Sequence, residues 1–147
     1  MRLWSFHPKY LDNVGLSRAI NEGISGYKAL TKQQKMWQNH SQLTRFKARD
    51  DNCEMFYKDY LSYIMEFKYR VNLFQIDKKI ALEERYINGY MTVTKGQLVY
   101  EWNHYLNKLK KRNPTKYAEL RGILIPEPHP IFRVIDGDIE SWEKVKE

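Results

Sequence analysis

The chain has 147 residues, 42% hydrophobic and 29% charged, which suits one packed domain and argues against intrinsic disorder. No apolar run approaches the ~18 residues of a membrane span, and the opening stretch MRLWSFHPKYLD has no apolar segment of the secretory type. A single cysteine, Cys53, excludes an intramolecular disulfide and any paired-cysteine metal knuckle, and the formal charge of +7 directs attention to anionic partners.

In chain order, Asp12 or Asn13 offers the side-chain oxygen that caps a first helix. Its apolar face is Leu16, Ala19, Ile20, Ile24 and Tyr27, spaced at helical intervals. Gly15, Gly23 and Gly26 interrupt it, each costing up to ~1 kcal/mol relative to alanine; either another element approaches the backbone closely or the helix is imperfectly optimised. Residues 31–50 are polar and basic and read as a long loop with one helical turn near Ser41–Lys47. Asp50 and Asp51 cap a second long helix from about Cys53 to Val71, with Phe56, Tyr60, Tyr63, Ile64 and Phe67 as its buried stripe. A shorter helix is expected over Asp77–Tyr86.

Thr94 caps a third helix, Lys95 to about Arg112, with Leu98, Trp102, Tyr105, Leu106 and Leu109 inward. Lys108, Lys110, Lys111 and Arg112 complement the negative end of its dipole; the alternative is a second footprint on a polyanion. Pro114 stops that helix and a short one follows to Arg121. From Gly122 the chain carries Pro126, Pro128 and Pro130 and reads as extended, with a last turn at Glu140–Val145. With no alternating strand series, the expected fold is all-α: one compact domain over 1–147, built of three main helices plus short helices and long loops. Residues 123–147 form an extended C-terminal tail packed on it.

The positive charge is unevenly placed. Residues 1–49 hold nine lysines and arginines against two acids, Asp12 and Glu22, whereas residues 50–147 hold sixteen of each sign. The whole excess therefore lies in the first third, interleaved with Trp4, Phe6, Tyr10, Tyr27, Trp37 and Phe46. Cations among rings suit a polyanion with stackable bases, although a soluble basic surface over core aromatics has the same composition. The acidic end, Asp136 to Glu147, reads as solvated; the alternative is a cover over the binding face.

Standard signatures of chemistry are absent. His7, His40, His104 and His129 are widely separated, with no paired ligand spacing, so no metal and no cofactor is expected. Cys53 lies near a helix start, but a free cysteine more often packs as a small hydrophobe. Glu22 stands out as a carboxylate within the positive third. Facing a polyanion it weakens binding, so it is either turned to solvent, the simpler reading of the pattern, or kept for chemistry.

The residues Met1-Arg2-Leu3-Trp4-Ser5-Phe6-His7-Pro8-Lys9-Tyr10-Leu11-Asp12, then Asn21-Glu22-Gly23 and His40-Ser41-Gln42-Leu43-Thr44-Arg45-Phe46-Lys47, form a series. It continues with Lys95-Gly96-Gln97-Leu98-Val99-Tyr100-Glu101-Trp102 and Pro126-Glu127-Pro128-His129-Pro130-Ile131-Phe132-Arg133-Val134. This series resembles the bacterial branch of the pyrimidine-dimer DNA glycosylases, the family founded by the phage ultraviolet-repair endonuclease. The opening and closing blocks are the specific ones; residues 50–90 match in pattern only.

The resemblance implies an N-glycosylase with abasic-site (AP) lyase activity. The N-terminal α-amine attacks the anomeric carbon, expels the base and leaves a protonated imine, which drives β-elimination and cuts the strand. By that resemblance the catalytic residues are Met1 and Glu22, the latter stabilising the cationic intermediate. The interval to Glu22 matches the family's when Met1 supplies the amine, and the bulky Arg2 implies that Met1 is deformylated but retained. An α-amine suits the role, since its ordinary pKa of ~7.7–8.0 against ~10.4 for lysine leaves a useful neutral fraction at pH 7.

Arg2 is the expected phosphate clamp beside the nucleophile. His7, Lys9, Arg18, Lys28, Arg45 and Lys47 are further DNA-contact candidates, and Trp37, in the basic loop, is the stacking candidate. Trp4 is equally suited to core or stacking. The expected partner is double-stranded DNA carrying a lesion or an abasic site, bound by a cytoplasmic monomer that becomes nucleoid-associated on DNA, with no membrane involved. Two alternatives explain the basic third without this chemistry: a non-enzymatic module binding damaged DNA, and an RNA-directed relative.

Overall fold

The computed structural model describes residues 1–49, 53–74, 89 and 91–145. Among these, the helices are α1 (Asn13–Leu30), α2 (Thr44–Lys47), α3 (Cys53–Phe74), α4 (Lys95–Arg112) and α5 (Pro114–Leu120). Two strands, β1 (Met91–Thr94) and β2 (Phe132–Ile135), pair in parallel with Met91 opposite Phe132. The fold is mostly helical, as the periodicity requires, with α1, α3 and α4 as its long helices. The helix expected over Asp77–Tyr86 and the Asp50–Asp51 cap lie outside the described residues.

The helix ends follow the local chemistry. Asp12 caps α1 by accepting the Gly15 N–H at 2.9 Å, Thr94 caps α4 through Gln97, and Asn113 caps α5 through Lys116. Asp12 also accepts two hydrogen bonds from Arg112 at the end of α4, tying the start of α1 to that helix. The basic loop contains a 3-10 turn, Ser41–Leu43, that runs into α2.

The expected apolar face of α1 is corrected at Ile24, which is 36% exposed, while Gly23 and Gly26 are buried. The glycines turn toward α3 because its large side chains need the space. A Cβ on Gly26 would stand 2.2 Å from the Tyr57 hydroxyl, and one on Gly23 would stand 2.5 Å from Leu61. Tyr57 uses that approach to donate to the Gly23 carbonyl at 2.6 Å. Close packing therefore explains these two glycines, with Tyr57 and Leu61 of α3 filling the space that their missing side chains leave.

One short strand pair accompanies the helices among the described residues. Met91 to Thr94 alternate between inward and outward positions over only four residues, and their partner lies far along the chain, so no local pattern announces the pair. The extended tail supplies β2 and, before it, the contacts that hold the chain's beginning. His7 donates its backbone N–H to Glu127 at 2.8 Å, and His129 donates its backbone N–H to Ser5 at 2.7 Å. At Glu140–Glu143 the tail forms a hydrogen-bonded turn without helix.

Two histidines serve this packing. His129 is 1% exposed; it accepts the Ile131 N–H on Nδ1 and donates Nε2–H to the Tyr60 carbonyl. Desolvation holds its pKa down to about 3, with His7 adding to the depression. His7 accepts the Lys9 N–H on Nδ1 and bonds Tyr63 through Nε2, and desolvation, then Lys9, hold it at about 4. Both rings stay neutral in the fold but protonate in the unfolded chain below the ordinary value of 6.5. The unfolded state binds more protons there, so stability falls as pH drops from 6.5 toward 4, by up to about 1.4 kcal/mol per pH unit for each ring. Urea midpoints measured across that window should fall accordingly, and His7→Gln should reduce the slope by up to about 1.4 kcal/mol per pH unit; an unchanged slope would place the acid sensitivity elsewhere.

Candidate active site

The first residues are held unusually firmly for a chain end, where fraying is the rule. Arg2 N–H donates to Glu22 Oε2 at 3.1 Å, Leu3 N–H to Gln42 Oε1 at 3.2 Å, and Ser5 N–H to Glu101 Oε1 at 2.8 Å. The Trp4 carbonyl accepts from the Tyr60 hydroxyl at 2.7 Å. Met1 packs against the core, its sulfur 3.3 Å from where a Cβ on Gly26 would stand. The bare backbone of α1 at Gly26 thus makes room for both Tyr57 and Met1.

These bonds place Met1, Arg2 and Glu22 in the wall of one cleft of about 370 Å³. His40, Ser41 and Gln42 from the 3-10 turn, His104 and Lys108 from α4, and Glu143 and Lys144 from the tail complete it. That volume lies in the range of small-ligand sites. Three side-chain cations line it against two carboxylates. A shallow recess alongside adds Trp4, Gly15, Arg18, Tyr105 and Arg112 and shares Arg2, Glu22 and Lys108 with the cleft. The positive field around Glu22 therefore comes from four separate parts of the chain: the N-terminal segment, α1, α4 and the tail.

Arg2 is braced on two sides. Its guanidinium pairs with the Glu143 carboxylate and lies 5.7 Å from the Trp4 ring centroid. The Lys108 ammonium lies 5.5 Å from the same ring. Partial desolvation, then Arg2, Arg112 and Arg18, hold the Lys108 pKa below the ordinary lysine value, with Glu22 opposing them. Trp4, 7% exposed, is thus a core residue whose face supports two cations of the cleft. Glu143 is buried, so this part of the acidic tail is ion-paired within the cleft and is not simply solvated.

Of the residues singled out in the sequence, Met1, Arg2 and Glu22 meet in the cleft and Arg18 stands beside it. His7 sits on Tyr63, and Lys9 pairs with Glu127 at 2.6 Å. Lys28 is exposed on the last turn of α1, while Lys47 donates to the Gln38 carbonyl. Trp37 is half-buried with a left-handed backbone, φ 69°, and packs edge-on against His40. Arg45 is buried at 8% exposure against Glu101, with its guanidinium 5.1 Å from the Phe132 ring and 4.7 Å from Trp142. That burial gives it a structural partner on the protein in place of an exposed position for phosphate. Cys53, at the start of α3, does not line the cleft.

Sequence reasoning passed over His40, Gln42, His104, Glu143 and Lys144 as site residues, whereas Lys108, offered by the sequence as part of a second footprint, does line the cleft. The block His40-Ser41-Gln42 was a visible signal, whereas nothing local in Glu143 announces a bond to Arg2. No group of three or more His, Cys, Asp or Glu residues able to hold a metal occurs among the described residues. No helix among them is long and apolar enough to cross a membrane.

A family model described as pyrimidine dimer DNA glycosylase matches residues 1–74, half of the chain. No curated protein and no solved structure matches. The matched half supplies Met1, Arg2, Glu22, His40 and Gln42 to the cleft, and the chain belongs to the pyrimidine dimer DNA glycosylases, enzymes of DNA repair.

Proposed function

We propose that the chain excises ultraviolet-induced pyrimidine dimers and cleaves abasic sites in double-stranded DNA, with the Met1 α-amine as nucleophile. The observation that carries this is the tethering of the N-terminal segment: the first backbone N–H after Met1 is bound by Glu22, in a cationic cleft. A chain end held this way has its amine oriented in advance, which removes much of the entropy cost of attack.

In this reading the neutral amine attacks C1′ of the lesion nucleotide while the bond from C1′ to the base breaks and its electron pair leaves with the base. The amine loses a proton, ring opening gives a protonated imine, and the adjacent C2′ proton becomes acidic. Its removal expels the 3′ phosphate and cuts the strand. Glu22 is the group suited to move these protons and to stabilise the cationic imine. Arg2, Arg18 and Lys108 suit the phosphates that flank the lesion. Binding dominated by such contacts weakens steeply with salt and reads little sequence. Reaching C1′ requires the nucleotide to leave the stack, which costs a few kcal/mol and least at a distorted lesion.

The test is borohydride trapping on an abasic-site duplex, with protein whose terminus has been verified by mass spectrometry and with the same protein acetylated at the α-amine. The expected adduct maps to Met1 and disappears on acetylation. No adduct from a verified free amine would favour a damaged-DNA-binding module without this chemistry. Cleavage of an RNA duplex through a trapped adduct would favour the RNA-directed relative.

A further inference from the structure

The excision step needs something the lyase step does not: a group that meets the negative charge developing on the departing pyrimidine. Neither carboxylate of the cleft can donate when ionised, Arg2 is engaged by Glu143, and Lys108 rests over the Trp4 ring. Among the other side chains of the cleft, Ser41, Gln42, His104 and Lys144 included, His40 is the ring fixed by the turn that also holds Leu3, and its surroundings define what it can do.

The Nδ1 of His40 accepts the Gln42 N–H at 3.2 Å, as the cap of the 3-10 turn. In the neutral ring the proton is therefore on Nε2, and the edge away from the turn is a donor. Desolvation, then the α-amine, Lys144 and Arg2, hold the ring below the ordinary histidine pKa, with Glu22 opposing, so it is neutral at pH 7. The ring packs at 68° and 6.1 Å against Trp37, whose left-handed backbone is fixed in turn by the His40 N–H donating to the Trp37 carbonyl at 3.0 Å. Gln42 ties the same turn to Leu3, so the ring and the N-terminal segment are positioned by one local structure. A neutral, braced N–H donor is what electrostatic stabilisation of a leaving group requires: it needs no reorganisation and no full proton transfer.

We propose that His40 is a catalytic residue of base excision, donating a hydrogen bond from Nε2–H to the pyrimidine as it departs. This rests on the amine-nucleophile reading above. As the bond from the α-amine to C1′ forms, the bond from C1′ to pyrimidine N1 breaks, and the electron pair spreads over N1 and O2 of the base. His40 shares its proton without losing it, the proton released by the amine goes to Glu22, and solvent protonates the base, which in a dimer stays joined to its neighbour through the cyclobutane ring. An abasic site has no base to expel, so His40 is dispensable there.

The experiment compares single-turnover rates on a duplex with a cyclobutane dimer and on one with an abasic site. His40→Asn retains an acceptor for the Gln42 N–H but is too short to donate where Nε2 does. It should lower dimer excision by about 10²–10³-fold and leave abasic-site cleavage and trapping within about twofold of the unmodified protein. His40→Gln, which returns a donor near the Nε2 position, should recover part of the excision rate. Equal losses on both substrates would mean that the turn and Leu3 had been displaced, and would overturn the proposal; so would unchanged rates on both. If the unmodified protein forms no adduct at the abasic site, the amine reading falls and this inference with it. Trapping at the abasic site by the unmodified protein, together with dimer excision by His40→Asn at the unmodified rate, removes the inference alone.

Discussion

Glu22→Gln should reduce strand cleavage by roughly 10³-fold while leaving DNA binding intact or tighter. The glutamine oxygen can still accept the Arg2 N–H now bound at 3.1 Å, so the N-terminal segment keeps its place. What is lost is the charge that would stabilise the imine and the base that would move its protons. Removing a carboxylate from a cleft meant for a phosphate backbone also lessens repulsion, so affinity at fixed salt should hold or rise. Single-turnover cleavage and anisotropy titrations at one stated ionic strength separate the two effects. A variant that still cuts within tenfold of the unmodified protein would remove Glu22 from the chemistry and leave it a tether for Arg2.

The second large effect concerns stability. Glu101 is fully buried and accepts from Ser5 N–H at 2.8 Å, Ser5 Oγ at 3.0 Å, Arg45 at 2.9 Å and Gln97 at 3.1 Å. Gln97 carries the network on to Glu143, and Glu143 to Arg2. Glu101→Ala leaves the Arg45 guanidinium buried without its counter-charge, and Arg45 Nε and Nη1 already have no hydrogen-bond partner among the described residues. The expected loss is about 3–5 kcal/mol, or roughly 10 °C in melting temperature for a chain of this size. Glu101→Leu combined with Arg45→Met removes both charges and should recover most of that loss. Denaturant titrations of the single and double variants test this. A single variant that loses under about 1 kcal/mol would show that Arg45 does not depend on Glu101. The double variant also tests the sequence-derived idea that Arg45 contacts DNA, because its affinity should be unchanged if burial governs that residue.

Much of the architecture follows from local chemistry. The caps at Asp12 and Thr94, the helical spacing of Leu98, Trp102, Tyr105 and Leu109, and the stop at Pro114 are properties of neighbouring residues, and they recur in α1, α4 and α5. Met1, Arg2 and Glu22 could be singled out because a charge map and a family resemblance both concern the order of residues. What residue order left unread lies where a distant partner decides. Ile24 has an apolar side chain at a helical interval, yet α1 presents Gly23 and Gly26 to α3 because Tyr57 and Leu61 occupy the space that side chains would fill. Likewise β1 exists because the tail runs beside it, and four residues hold too little pattern to reveal that.

By itself the amino-acid order determined a mostly helical, basic chain whose first third carries the charge excess and whose opening blocks resemble a repair glycosylase. Only the tertiary structure decided which of its charged groups face one another. Arg45 and Lys9 look like any other cation in the sequence, yet each is paired on the protein, whereas Lys108 and Lys144 come from the second half to line the cleft. Burial and ion pairing depend on separation in space, and a carboxylate such as Glu143 meets Arg2 from the other end of the chain. Short-range propensities therefore set the helices, and long-range pairing of charges set the site.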